Sequence, residues 1–202
     1  MLALTVLLNN NISWANDWKL EKQKNNVSIY SQTNDSGYKE ILVKTIVEAN
    51  PHALIALLDD VAFSSQWIHN CIEVKILNDI SPTKRLVNSF FAAPWPIKDR
   101  DMVTFSTTTL SDKKVRIEIS DRGDISPHNS KYVRMQKVHG LWEANTLENG
   151  KSEITYTGGG NPGGNIPIFI ANQELINSAF KTFQNLNKVI VLQEYQPIKI
   201  TN

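Results

Sequence analysis

The chain has 202 residues and a mass of 22.8 kDa, with 41% hydrophobic and 20% charged side chains. That is enough to bury one sizeable core, and it excludes a disordered, collagenous or coiled-coil composition. With 21 Lys and Arg against 20 Asp and Glu the formal charge is +1, which argues against nucleic acid as the main partner.

The single cysteine, Cys71, excludes an internal disulfide and a cysteine-built zinc or iron–sulfur cage. No apolar run reaches the roughly 18–20 residues that a membrane span needs. Met1–Leu8 is a short apolar stretch, followed by three asparagines and then by Ser13 and Ala15, small residues two apart. This is the pattern of a secretory signal peptide, although the usual opening Lys or Arg is missing. Residues 1–16 are read as an export signal, cleaved near Asn16 or Asp17, with one domain over 17–202 and a periplasmic or secreted product. The alternative is a structural N-terminal helix and a cytoplasmic protein.

From Trp18 onward the chain reads as one unit without repeats. Val27–Ser31 and Tyr38–Val47 are β-rich and flank Asn34-Asp35-Ser36-Gly37, so a hairpin is predicted. Asn50-Pro51 opens a helix, Asn as N-cap and Pro in the first turn, with Leu54, Leu57, Leu58 and Val61 on one face. A short helical piece follows at Phe63–Trp67. Six strands come next: Cys71–Leu77, Lys84–Ala92, Met102–Leu110, Val115–Ser120, Tyr132–Trp142 and Ser152–Thr157. After the glycine cluster Gly158–Gly164, a long helix is predicted from Pro167 to Leu192. Its apolar stripe is Phe169, Ile176, Ala179, Phe180, Phe183, Leu186 and Ile190. Consecutive strands with short connections favour an antiparallel sheet, and the long helix is the partner that buries its stripe.

Several segments resemble START domains, the lipid-transfer domains named for the steroidogenic acute regulatory protein. Asn50–Asp60 followed by Trp67 and Cys71-Ile72-Glu73-Val74 is similar to the helix–Trp–strand opening of that family. Pro94-Trp95-Pro96-Ile97-Lys98-Asp99-Arg100-Asp101-Met102-Val103 resembles its proline loop and Arg-Asp strand. Gly140-Leu141-Trp142, Ser152–Tyr156 and Pro162-Gly163-Gly164 before Ile166-Pro167 match the C-terminal half. The likeness covers about residues 18–192.

The resemblance implies an α+β helix-grip fold: a curved antiparallel sheet wrapped around the C-terminal helix, enclosing an apolar tunnel. It implies a non-enzymatic lipid-binding or lipid-transfer protein for one sterol, phospholipid or fatty-acid-like molecule. A monomer making transient membrane contact is expected, with no cofactor, no metal and no nucleic acid. The lipid-binding wall is expected at Phe90, Trp95, Arg100, Met102, Phe105, Met135, Trp142, Tyr156, Leu175, Ile176, Ala179 and Phe183. Arg100 has a second reading, pairing with a flanking carboxylate to pin its loop. Trp95 likewise has packing against the last helix as its alternative.

Some animal sterol carriers hold a buried acid–arginine pair on the strands around this loop. The corresponding positions here are Val87, Asn88 and Ser89, and Phe105, Ser106 and Thr107, without an ion pair. Asn88 or Ser106 remains to hold a lipid hydroxyl. Cyclase relatives share the grip, so the alternative is a cyclase- or hydrolase-like enzyme in the same cavity, with His139 or Glu118 as acid/base. His69 and Cys71 lack an orienting third group, and no catalytic role is assigned to them.

Overall fold

The computed structural model describes residues 18–196; the export-signal reading of residues 1–16 lies outside them. Ten strands form one sheet: β1 (Lys19–Lys24), β2 (Val27–Thr33), β3 (Lys39–Val47), β4 (Cys71–Ser81), β5 (Lys84–Phe91), β6 (Arg100–Ser111), β7 (Lys114–Asp121), β8 (Val133–Arg134), β9 (Gln136–Thr146) and β10 (Ser152–Asn161). The order across the sheet is β1-β2-β3-β10-β9-β7-β6-β5-β4, antiparallel throughout, with β8 laid parallel against β6. Three helices complete the fold: α1 (Ala53–Asp59), α2 (Ser64–Trp67) and the 22-residue α3 (Ile168–Val189). The helix-grip expectation holds: a curved antiparallel sheet carries the C-terminal helix.

The first hairpin forms where its turn chemistry placed it. The Asn34 side chain accepts the N–H groups of Ser36 and Tyr38, and Gly37 supplies the positive φ of +80° that closes the turn. Helix α1 begins two residues later than its proline suggests. Pro51 and His52 form a turn, and the Asn50 carboxamide accepts the His52 N–H at 2.9 Å instead of capping the helix itself. Strand β1 escaped the sequence reading because its one large apolar residue is Leu20. It is a lysine-rich edge strand with a bulge at Glu21, the kind of edge that resists pairing with another molecule. The predicted Tyr132–Trp142 strand is two strands, parted at Met135, with Lys137, whose φ is +53°, inside the second.

Helix α3 lies over β2 and β3 and is held from both sides. Towards the first hairpin, Asn172 accepts the Lys39 N–H and donates to the Gly37 carbonyl, while Asn187 accepts the Thr45 hydroxyl. Towards the other side, Thr182 accepts the His69 N–H and Asn185 donates to the Trp67 carbonyl. Between these clamps Val27, Ile29, Val43, Ile154, Leu186 and Ile190 are fully buried, each contributing about 1.5–3 kcal/mol through the apolar surface it removes from water. Ile176, Phe180 and Phe183 extend the stripe as expected, but Phe169 is 74% exposed and stands outside it.

Candidate functional site: the sheet face beneath the last helix

Strand register decides which side chains look at α3, because paired residues share a face and alternate residues change it. Ser31, Ile41, Gly158 and Gly140 form one row across the sheet, and Ile29, Val43, Tyr156, Trp142 and Ile117 the next. Ile119 pairs with Ser106, so the even-numbered residues Met102, Thr104 and Ser106 share this inner face. Under α3 the face is sealed. Towards β6 it changes character: Met102, Ser106, Ile119 and Tyr156 are only half-buried, as are Leu175 and Ala179 on the helix.

Three aromatic rings run through this region. Trp142 stacks on Phe183 with centroids 5.3 Å apart and lies 4.7 Å from Tyr156. Tyr156 fits because its neighbours have no side chains. A Cβ on Gly140 would stand 2.8 Å from the Tyr156 hydroxyl oxygen, and one on Gly158 would stand 2.6 Å from it. The phenol therefore lies flat along a two-glycine slot, and burial pushes its pKa up to about 12. Tyr195 is also raised to about 12, by burial and by donating to Asp60 Oδ2 at 2.9 Å.

Both phenols keep their proton longer folded than unfolded, where tyrosine ionises near pH 10. Their contribution to stability is complete below pH 10 and is lost as the pH rises towards about 12. In an alkaline spectrophotometric titration, two of the five tyrosines should ionise last, together with the loss of folded signal. Ionisation of all five near pH 10 in the folded protein would refute this.

At the end of β6 the two neighbours Arg100 and Asp101 face opposite ways. Asp101 turns outward to a buried ion pair with Arg134: Nε donates to both carboxylate oxygens at 2.9 and 3.0 Å, and Nη2 lies 2.7 Å from Oδ2. The side chains are 1% and 9% exposed. Arg134 also donates to the Gly123 carbonyl at 2.8 Å and, at 3.4 Å, to those of Ser126 and Pro127, tying the segment after β7 over the outer face. Sequence reasoning missed this pair, since its partners are 33 residues apart. Arg100 turns to the inner side, beneath the Gly163-Gly164 turn that leads to α3. The pairing expected for it with a flanking carboxylate does not occur: its recorded hydrogen bond goes from Nη1 to the Lys98 carbonyl, and Asp99 instead accepts the Ala93 N–H.

The inner side thus brings together Arg100, Met102, Trp142, Tyr156, Leu175, Ile176, Ala179 and Phe183. Phe90 and Phe105 are placed on the other face, a correction that follows from register: they pair with Asp101 and Leu86, on the side of Val103. There Phe90 meets Tyr132 at a tilt, with centroids 4.9 Å apart, beneath the Lys75 ammonium. Asn88 shares that outer face, leaving only Ser106 of the two suggested hydroxyl-binding groups on the inner one. Met135 is half-buried between β8 and β9, its N–H bonded to the Asp101 carbonyl. Trp95 is 93% exposed and does not pack on the last helix.

Both acid/base candidates of the enzyme alternative stand on the surface. His139 faces Glu40 at 3.2 Å and Glu118 pairs with Arg116 at 2.8 Å. Burial pushes the Cys71 thiol up, and His69 meets Lys181 rather than the sulfur. No cluster of three or more metal-ligating side chains occurs among the described residues. Two shallow cavities, of about 180 and 150 Å³, lie beside the β1–β2 turn and beside His139; neither is lined by the inner-face residues.

Comparison with known proteins agrees with this architecture. An uncharacterized protein of Pseudomonas aeruginosa, PA1579, is 32% identical over 174 residues, covering 85% of this chain and 86% of the relative. The solved STAR-related lipid transfer protein fragment from Xanthomonas axonopodis superposes with a TM-score of 0.78 at 22% identity, covering 87% of this chain and 99% of that one. Human STARD10 superposes at 0.77 with 19% identity, covering 86% and 73%. The START domain profile matches residues 2–196. The chain belongs to the START domain family.

Proposed function

We propose that the protein is a non-enzymatic carrier that holds one hydrophobic molecule, a lipid, between α3 and the inner face of β6, β7, β9 and β10. The observation that carries this is the row of half-buried apolar side chains, Met102, Ile119, Tyr156, Leu175 and Ala179, on a face otherwise sealed by a helix. Filling that face removes apolar surface from water at roughly 25 cal/mol per Å². The family and the lipid-transfer relatives support the same reading.

The same reading gives a route for loading. Gly163 and Gly164, with φ of +69° and +66°, form the joint on which α3 lifts. Trp95 and Phe169, both exposed, each lie five residues along the chain from the contact between Arg100 and Gly164. An indole and a phenyl ring at that end suit transient contact with a membrane surface. We further propose that the protein acts as a monomer outside the cytoplasm, residues 1–16 being removed on export.

Native mass spectrometry of protein purified from its own source tests these statements together. One unmodified lipid per chain, on a chain shortened by its first sixteen residues, is the expected mass. Empty protein, or a converted product in place of intact cargo, would overturn the carrier reading; a retained Met1 would overturn export. Ala179→Trp should reduce lipid uptake about tenfold or more while leaving the circular dichroism spectrum native, because the indole fills the space beneath the helix. Unchanged uptake would remove Ala179 from the wall.

A further inference from the structure

A guanidinium carries five N–H donors and cannot lose its charge at ordinary pH. Arg100 has one recorded bond, from Nη1 to the Lys98 carbonyl, and its Nε is sealed from water without an acceptor among the described residues. The residue is 8% exposed. Its Nη2 stands 3.7 Å from where a Cβ on Gly164 would sit, under the approach to α3 and on the Met102 side of β6. Neither neighbouring carboxylate hydrogen-bonds to it. Asp101 spends both oxygens on Arg134, and Asp99 accepts the Ala93 N–H at 2.9 Å. Burial penalises the cation and lowers the Arg100 pKa, an effect the nearby Asp99 charge only partly offsets. A buried cation with idle donors is a costly arrangement unless something else supplies an anion.

We propose that Arg100 anchors a single anionic group, a carboxylate or a phosphate, at the polar end of the bound molecule, so that the cargo is an acidic amphiphile. This rests on the lipid-carrier reading and specifies its ligand class. The planar fork of a guanidinium matches the oxygens of a carboxylate or phosphate, while the alkyl part lies along Met102, Tyr156 and Ala179. A free sterol, which has only a hydroxyl to offer, leaves the charge of Arg100 uncompensated.

The test compares laurate and oleate with their methyl esters, and with inorganic phosphate alone, binding to the full chain by calorimetry. The acids should bind about tenfold or more tighter than the esters, the worth of a charge-assisted pair. Arg100→Gln should abolish the difference between acids and esters, and Arg100→Lys should restore part of it. Equal binding of acids and esters by the unmodified protein overturns the anion site while the hydrophobic-ligand reading stands. Binding of neither overturns both. Phosphate alone binding as tightly as oleate would assign Arg100 to a free anion and overturn the amphiphile. The comparison on unmodified protein decides the question even if Arg100→Gln fails to fold.

Discussion

Replacing Arg134 by Met is expected to lower the unfolding free energy by about 3–5 kcal/mol, read from the midpoint of a urea denaturation curve. The loss has two sources. Asp101, 1% exposed, keeps its carboxylate in a site that the departing guanidinium alone had made tolerable. The Gly123 carbonyl also loses its donor, so the segment after β7 is no longer tied across Phe90 and Val103. Removing both ions together should be far milder: Asp101→Leu with Arg134→Met trades the pair for apolar contact and should recover more than half of the loss. A single-mutant loss under about 1 kcal/mol would mean that water reaches the pair, contrary to its geometry.

Gly158→Ala is expected to cost about 3 kcal/mol, at the upper end of what overpacking a filled interior does. The new methyl would meet the Tyr156 hydroxyl oxygen at 2.6 Å and the His139 carbonyl at 2.7 Å. For Gly140→Ala the three nearest atoms all belong to the Tyr156 ring and hydroxyl, at 2.8–3.2 Å. The two variants should therefore respond differently to Tyr156→Phe, which deletes the oxygen nearest both. That second change should recover about half of the loss at position 140. It should recover little at position 158, where the backbone carbonyl stays in place. Equal rescue at both positions, or an unperturbed Gly158→Ala, would show that the slot does not hold the phenol as described.

Much of this architecture was legible because local chemistry and global fold agree. The Asn34–Gly37 turn, the Ile176-Phe180-Phe183-Leu186 spacing and the strand alternation each signal what forms. The failures share one physical origin, since composition identifies a strand without fixing which face each residue takes. Met102 and Phe105 are three apart on one unbroken strand, so they cannot both line one wall; the period of two already forbids it. An Arg between two aspartates looks self-paired, yet strand geometry throws Arg100 and Asp101 to opposite sides and delivers Arg134 from a distant segment. The glycine slot did leave a trace. Gly140 sits two residues before Trp142, and Gly158 two residues after Tyr156, on adjacent strands. Two glycines beside two large aromatics on a single face announce a flat-lying ring.

The strand order carries a consequence for the way the molecule assembles. From β4 to β7 each strand pairs with its successor, so those hairpins close over short loops. The seam between β3 and β10 is different: Ser152 bonds Ala49 across 103 residues, and Asn172 reaches Gly37 across 135. The entropy of closing loops that long is surrendered before the seam yields its first bond, which makes it the slow event of a sheet otherwise built from near neighbours. Helix α3 spans that seam and follows both of its strands in the chain. Every strand of the apolar inner face is therefore synthesised before the element that covers it, and the face stays open until α3 follows.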